Sequence, residues 1–315
     1  MEKPIVPVID FTAGQSIPGD AALLWKTTPE QISLADDIIS ALKNVGFICL
    51  VNTGITQDEM DTLMNEVKQF FGLGGSEKCL YTKGLMSNTG WVDVGRETLS
   101  TDRKAGDYKE TFNFQPVMAE TEIPDSMKIL KEWWGRLSTL SLQFMKLMGL
   151  GLRMKDPSYI ANSHSFGSSQ NESAIRVNFY PATVNKDLEP GQVRCGEHSD
   201  YGSVTLLIQD SPGLEVMNRS TGEYEAVTAP PGGIIVNIGD VMQFWTSDTL
   251  VANKHRVLVS DDKHLQEADR ISIPFFAIPD QTTLIECLVG RSKYPPVTMH
   301  EWLKQKIDSA FKERV

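Results

Sequence analysis

The stretch Cys195–Asp210, CGEHSDYGSVTLLIQD, contains the feature that decides the fold. His198 and Asp200 stand two residues apart, shortly before the largely apolar run VTLLIQ, which is typical of a buried strand. Because side chains alternate along a strand, these two are expected to share a face. A carboxylate buried beside an imidazole is costly unless something pairs with both. The spacing therefore indicates two ligands of one metal ion on the lip of a β core.

The sequence around this stretch predicts a series of short strands. From residue 174, β-rich runs follow one another between turn residues: AIRVNFY, SVTLLIQ, GLEVMN, YEAVT, GIIVNIG, VMQFWT, HRVLVS and RISIPFFAI. Such a series favours a sandwich, jelly roll or barrel over a parallel sheet. We expect a mainly β protein, with a double-layered β core and flanking α-helices packed outside it.

The flanking helices are expected on both sides of the β-rich region. Helical periodicity runs through residues 28–46 and 125–152, and capping boxes at Thr56 with Glu59 and Thr298 with Glu301 predict two more helix starts. No repeat or strong linker interrupts the chain. We expect one domain over 1–315, with an N-terminal segment (1–118), a long supporting helix region (119–173), the β core (174–285) and a C-terminal helix (286–315).

Composition excludes several classes of protein. The 315 residues carry a formal net charge of −11, so binding to nucleic acid or to an anionic membrane surface is not expected. No run of eighteen apolar residues and no signal peptide is found, and the four cysteines form no CxxC pair. These features indicate a reduced, cytoplasmic protein, and nothing in them demands more than a monomer.

A third metal ligand should come from another strand. Of the five histidines, His264 lies in a polar run, His300 in the first turn of the last helix and His164 in a Ser/Asn-rich loop. His255 opens the alternating run HRVLVS. Two histidines and one carboxylate match the facial triad of non-haem Fe(II) oxygenases, which leaves coordination positions open.

Arg270 and Ser272, in RISIPFF, are expected to face the same side of a strand. A buried arginine needs an anion, and it can pair with a carboxylate through two parallel hydrogen bonds. That anion is either an internal carboxylate from elsewhere in the chain or part of a co-substrate, and we favour the second.

Together these segments resemble a known enzyme group. HSDYGSVTLLIQD, PPGGIIVNIGDVMQFWT, NKHRVLVS and RISIPFF resemble the 2-oxoglutarate/Fe(II)-dependent dioxygenases of the isopenicillin N synthase-like family. PVIDF, VGFICLVNTGI, FFGLGGSEKCLY, GDYKETFNF and KYPPVTMHEWL fit the same family, so the resemblance covers almost the whole chain. It implies a double-stranded β-helix core, that is, a cupin-like jelly roll.

The resemblance also implies roles for individual residues. His198, Asp200 and His255 would hold Fe(II). Further residues that the resemblance assigns to the co-substrate are Arg270, Ser272, Tyr180 and Asn178, and those that it assigns to the substrate are Arg176, Phe276, Trp91, Phe112 and Phe114.

The activity implied is oxidation of a small organic molecule by dioxygen, with release of succinate and CO₂. Ascorbate is an expected assay additive. The outcome is hydroxylation, desaturation or ring closure, and the substrate is left open. Two alternatives remain at this point: an Fe(II) oxidase of the isopenicillin N synthase type that works without 2-oxoglutarate, and a non-catalytic binding protein on the same fold.

Overall fold

A computed structural model describes residues 5–20, 25–82, 89–98, 105–184, 186–259 and 262–312, with side chains in the last range described as far as residue 306. Within these ranges no helix combines the length and apolar character that crossing a bilayer requires. The loop between residues 84 and 109, for which the resemblance is loose, lies partly outside the described residues.

Strands form the centre of the molecule. They are β1 Val8–Asp10, β2 Phe47–Val51, β3 Gly90–Val92, β4 Glu110–Phe114, β5 Ala174–Tyr180, β6 Cys195–His198, β7 Val204–Gln209, β8 Leu214–Met217, β9 Tyr224–Ala226, β10 Ile234–Ile238, β11 His255–Val257, β12 Arg270–Ala277, β13 Leu284–Ile285 and β14 Val297–Thr298.

Helices flank the strands. They are α1 Pro29–Val45, α2 Gln57–Phe71, α3 Gly75–Lys78, α4 Leu130–Gly151, α5 Tyr159–Asn162, α6 Asp240–Trp245, α7 Lys263–Glu267 and α8 Met299–Lys312.

Two sheets form the β core. The larger has the strand order β1-β2-β10-β7-β12-β5-β4-β3 and the smaller has the order β6-β11-β8-β9. The inner faces share one apolar cluster, to which the large sheet gives Leu207 and Ile235 and the small sheet gives Leu214 and Val216. This face-to-face packing with helices outside is the double-stranded β-helix expected from the sequence.

The outer face of the large sheet packs against the helices. Ile38 of α1, Leu63 of α2 and Phe144 of α4 join Leu206 and Phe275 of the sheet in a second cluster of buried residues. Leu206 and Leu207 therefore lie on opposite faces of β7, which explains why this strand reads as a continuous apolar run.

Local signals in the sequence explain where the main helices begin and end. At α2 the Thr56 hydroxyl accepts from the Glu59 N–H, and the Glu59 carboxylate accepts from the Thr56 N–H, which confirms this capping box. The Thr298–Glu301 box is confirmed in the same way. Gly46 ends α1 with φ 73°, and a Cβ there would lie 2.4 Å from the Val251 carbonyl oxygen, so glycine is required.

One predicted strand is a helix instead. VMQFWT was expected to be β, but residues 240–245 form α6. The buried positions are Val241, Met242, Phe244 and Trp245, a spacing that places them on one helical face. A six-residue run with four apolar side chains fits either period, and here tertiary packing selects the helix.

Candidate active site

Three side chains meet between the two sheets. The Asp200 Oδ1 atom lies 3.7 Å from Nε2 of His198 and 3.7 Å from Nε2 of His255, and the three ligand atoms lie within 4.8 Å of one another. Among the described residues, these three form the group of His, Cys, Asp and Glu side chains that lie close enough together to hold one metal ion. The structure thus joins the three residues that the sequence singled out.

The backbone positions these residues differently from what the sequence suggested. His198 ends β6 and is the direct cross-strand neighbour of His255 on β11, in the small sheet. Asp200 is not on the same strand, because it lies in the turn that leads from β6 to β7 of the large sheet. Strand alternation is therefore not the reason why His198 and Asp200 converge. The chain turns between the two sheets at this point.

Each ligand is held by further contacts. The Nδ1–H of His198 donates to the Gly196 carbonyl at 2.8 Å, and that of His255 donates to the Asn253 carbonyl at 3.3 Å. A carbonyl only accepts, so each Nε2 keeps its lone pair toward the centre.

The second oxygen of Asp200 is also occupied. Oδ2 accepts from Thr205 Oγ1 at 2.6 Å and from Asn237 Nδ2 at 2.7 Å, which leaves Oδ1 for the centre. The sequence reasoning missed Thr205 and Asn237. Their signal was a polar residue inside each of the apolar runs SVTLLIQ and GIIVNIG.

The protonation states suit a metal ion. Burial lowers the pKa of His198, and the neighbouring His255 adds to the effect. Burial opposes the charge on Asp200, but both histidines and the Thr205 and Asn237 hydrogen bonds hold its pKa below the usual range. A neutral His198 imidazole and an ionised Asp200 carboxylate are forms that bind a divalent metal. The donor set and its orientation therefore fit iron.

A buried cation lies at the far end of the same cavity. Arg270 is 2% exposed, its Nε–H donates to the carbonyls of Ser211 and Pro212, and its Nη2 donates to Gln209 Oε1 at 2.8 Å. All three partners are neutral. Nη1 has no hydrogen-bond partner among the described residues, and no ion pair to Arg270 is found among them. The internal salt bridge considered above is thus absent from the described structure, and the guanidinium fits an incoming carboxylate.

The other residues that the resemblance assigned to the co-substrate surround this arginine. On β5, Tyr180 pairs with Arg270 and Asn178 pairs with Ser272 across the strands. The guanidinium carbon of Arg270 lies 5.0 Å from the centre of the Tyr180 ring. Asn178 Nδ2 donates to Ser272 Oγ at 3.3 Å, and Asn178 Oδ1 lacks a partner among the described residues.

Arg176 and Phe276 also line the cavity, as the resemblance implied. The guanidinium carbon of Arg176 lies 5.9 Å from the centre of the Phe276 ring. Arg176 Nε donates to Asn113 Oδ1 at 2.6 Å, and Nη1 donates to Glu97 Oε2 at 3.2 Å. The arginine is therefore fixed in direction by two neighbours.

The structure does not bring Trp91, Phe112 and Phe114 to the cavity. Phe112 and Phe114 alternate with Asn113, the strand partner of Arg176, so they point to the opposite face and pack in the helix-side core. Trp91 is the cross-strand partner of Phe112 and belongs to the same core. The expectation that these three contact substrate is corrected here. Side-chain alternation on β4 is the reason.

The remaining histidines lie away from the triad. His264 is exposed in α7 and His300 is exposed in α8. His164 is buried, at 3% exposure, and its Nε2 contacts Ser203 Oγ at 2.8 Å.

A further cation on the cavity wall was missed by the sequence reasoning. Lys109 lines the cavity and is 3% exposed. Its Nζ lies 3.4 Å from Cys195 Sγ, 3.5 Å from Asp107 Oδ2 and 3.7 Å from Glu97 Oε2. Lys109 and Asp107 stand in GDYKETFNF, which was used for the resemblance without a role for either residue.

Comparison with known families gives two matches. Residues 171–279 match the 2OG-Fe(II) oxygenase superfamily, and residues 6–134 match the N-terminal region of the non-haem dioxygenases in morphine synthesis. The first match contains the triad and Arg270, and the second contains Lys109.

Curated relatives match over most of their length. A proline hydroxylase of Petromyces alliaceus (buaE) is 32% identical over 276 residues, which is 82% of this chain and 85% of that protein. A 2-oxoglutarate-dependent dioxygenase of Glarea lozoyensis (gloF) is 29% identical and covers 82% of this chain and 87% of its own.

Solved structures give the same answer for the fold. A full-length protein of Neurospora crassa in complex with alpha-KG superimposes with a TM-score of 0.81 at 26% identity, over 98% of this chain and 100% of that one. The same Neurospora protein with alpha-KG and thymine gives a TM-score of 0.80 at 26% identity, over 97% of each chain.

Proposed function

Because the chain belongs to the 2OG-Fe(II) oxygenase superfamily, we propose that His198, Asp200 and His255 hold its iron and that Arg270 binds its co-substrate. The protein is an Fe(II)- and 2-oxoglutarate-dependent dioxygenase, an oxidoreductase of the hydroxylating kind. When bound, the iron and 2-oxoglutarate supply the oxidising chemistry, in which dioxygen is reduced while 2-oxoglutarate becomes succinate and CO₂.

The residues of the chain bind and orient the reactants. The three ligands occupy one side of the ion and leave the other side to the reactants. Arg270, with Ser272 and Tyr180 beside it, receives the distal carboxylate of 2-oxoglutarate, and this contact directs the keto acid end toward the triad. The apolar walls, among them Leu207, Leu214 and Val257, exclude water from that path.

One observation carries this proposal. The Arg270 guanidinium is buried, all its protein partners are neutral, and one of its nitrogens has no partner among the described residues. Burying a charge without an opposite partner costs roughly several kcal/mol of folding free energy. A buried, unpaired guanidinium is therefore expected at a site that binds an anion. A keto acid with two carboxylates meets that requirement.

We propose a small organic molecule as the substrate. The names of relatives and structural neighbours mention proline, thymine and feruloyl CoA, which share little beyond being organic metabolites and not macromolecules. The cavity mouth of this chain, with Arg176 and Phe276, is where such a molecule would approach the triad.

The test is the affinity for 2-oxoglutarate of protein loaded with Zn(II) in place of iron, measured by calorimetry. Arg270→Gln removes the charge and is expected to weaken binding by about 2–5 kcal/mol. Arg219→Gln is the control, because Arg219 is exposed and its substitution should leave the affinity unchanged.

An unchanged affinity in Arg270→Gln would contradict the assigned role. A 2-oxoglutarate-dependent dioxygenase releases succinate in the presence of Fe(II) and dioxygen, whereas a 2-oxoglutarate-independent oxidase does not. Succinate release would also exclude a non-catalytic binding protein.

A further inference from the structure

Four charged side chains form an alternating row beside the cavity. The row runs from Asp107 to Lys109 to Glu97 to Arg176, and the successive oxygen–nitrogen distances are 3.5, 3.7 and 3.2 Å. We refer to these four residues as the charge row. Its members come from the loop before β4, from the segment after β3 and from β5.

Backbone hydrogen bonds hold the charge row in place. The Asp107 N–H donates to the Glu97 carbonyl at 2.7 Å, and the Gly95 N–H donates to the Asp107 carbonyl at 3.1 Å. A Cβ on Gly106 would lie 2.0 Å from the Gly95 carbonyl oxygen, so only glycine permits this close approach. Asp107 Oδ1 also accepts from the Gly196 N–H of β6 at 3.2 Å.

The two ends of the row differ in access. The side chains of Asp107 and Lys109 are 0% and 2% exposed, whereas those of Glu97 and Arg176 are 24% and 25% exposed. Burial opposes ionisation of the Glu97 carboxyl, but the charges of Arg176 and Lys109 outweigh it and lower its pKa. An ionised carboxylate and a guanidinium therefore stand side by side, both partly accessible, and Arg176 lines the same cavity as Arg270.

The charges of the row cancel. Its accessible end presents one carboxylate and one guanidinium, so a ligand with a single charge would pair with one of them and leave the other without a partner of its own in a partly buried site, which is costly. A ligand that carries both charges meets an opposite partner for each one. Phe276 adds an apolar wall next to Arg176 for the rest of such a ligand.

We propose that the substrate is a zwitterion, namely a free α-amino or imino acid, with its carboxylate on Arg176 and its ammonium on Glu97. In such a molecule one carbon separates the two charges, which matches two protein charges in direct contact. This inference rests on the proposed function, because it places the substrate beside the co-substrate that Arg270 binds.

The experiment uses full-length protein loaded with Zn(II) and titrated in two steps. The first step is calorimetric binding of 2-oxoglutarate. In the second step the protein, with saturating 2-oxoglutarate, is titrated with each proteinogenic L-amino acid, including L-proline. The tightest binder is then compared with its N-acetyl derivative, which is an anion, and with its amide, which is a cation. 2-Pyrrolidinone serves as a polar ligand without charge.

We expect the free amino acid to bind at least about tenfold more tightly than either derivative or 2-pyrrolidinone. Glu97→Gln should abolish the preference over the N-acetyl derivative, and Arg176→Gln should abolish the preference over the amide. If either residue had only a structural role, its substitution would weaken binding of all the ligands and would not remove one preference while leaving the other. Glu189→Gln, an exposed change of the same kind, should keep both preferences.

The proposal is overturned if no amino acid binds, if a derivative or 2-pyrrolidinone binds as tightly, or if both preferences survive in the two variants. Circular dichroism identifies a variant that has not folded, and in that case the ligand series on the unchanged protein decides alone. Failure of the proposed function appears separately, as absence of 2-oxoglutarate binding in the first step, and the second step is then run without it.

Discussion

His164 shows how a single side chain can be buried without any strand or helix pattern. Its Nδ1–H donates to the Ile160 carbonyl at 2.8 Å, and its Nε2 lies 2.8 Å from Ser203 Oγ. Burial lowers the pKa of this imidazole to about 4 from an ordinary value of 6.5. The ring is therefore neutral in the folded protein near neutral pH.

Stability should consequently depend on pH through His164. Between pH 6.5 and pH 4, His164 is protonated in the unfolded chain but stays neutral in the folded protein. The free energy of unfolding therefore falls as the pH drops from 6.5 toward 4. The loss amounts to about 3 kcal/mol at most. Urea unfolding at several pH values measures it, and His164→Gln should flatten the slope in this window. An equal slope in the variant would contradict the assignment.

Side-chain alternation predicted the site residues that lie on regular strands, but not those whose position depends on the geometry of a loop. Asp200 was also predicted, although it lies in a turn and alternation is not the reason why it joins the site. His255, Arg270 and Ser272 were found because alternation on a strand fixes which way a side chain points. Lys109 and Glu97 were not found, because their approach depends on a loop held by Gly106 and not on any period.

At the scale of elements, the start of α2 carries a network wider than its own turn. Glu59 closes the capping box with Thr56 and also accepts from Arg136 Nη2 of α4 at 2.9 Å. The Arg136 hydrogen bond, with those from Thr56, lowers the pKa of the Glu59 carboxyl to about 2. The cap thus joins two helices.

Thr56→Ala should lower the free energy of unfolding by about 1 kcal/mol, because it removes the side-chain acceptor for the Glu59 N–H. Thr62→Ala is the matched control within the same helix. Thr62 is exposed in the helix interior, where alanine is favoured, so this change should not destabilise. Urea unfolding compares the two, and equal stabilities would argue against the cap.

Element types were predictable where a pattern was long. AIRVNFY coincides with β5, and the periodic helices α1, α2 and α4 lie where expected. α6 was missed because a six-residue run with four apolar side chains satisfies both the strand and the helix period, and only the packing of Trp245 and its neighbours distinguishes the two.

At the scale of the whole molecule, the triad connects the two sheets. His198 and His255 belong to the small sheet, and Asp200 is bound by Thr205 and Asn237 of the large one. A metal ion that binds all three ligands therefore favours the folded arrangement over the unfolded chain.

Metal removal should accordingly destabilise the protein. At a free metal concentration of a hundred times the Kd, binding contributes about 2.7 kcal/mol to the free energy of unfolding. We expect Zn(II) to raise the Tm, EDTA to reverse the rise, and Asp200→Ala to abolish it. Calorimetric scans provide the measurement, and a Tm that is insensitive to metal in the unchanged protein would contradict the site.

The large sheet draws its strands from distant parts of the chain. Strand β2 of the N-terminal segment pairs with β10, and β3 and β4 extend the same sheet beyond β5. The sequence predicted the strands from residue 174 onward, but not that strands of the N-terminal segment join the same sheet, because pairing between distant segments leaves no local pattern.

The pairing of β2 with β10 has a consequence during protein synthesis. The ribosome releases residues 47–51 long before residues 234–238. Strand β2 is almost entirely buried in the finished fold, but until β10 is synthesised one of its backbone edges has no partner strand. Such an edge is a site for aggregation between nascent chains. We therefore expect that additional chaperone during this interval raises the yield of soluble protein in a heterologous host.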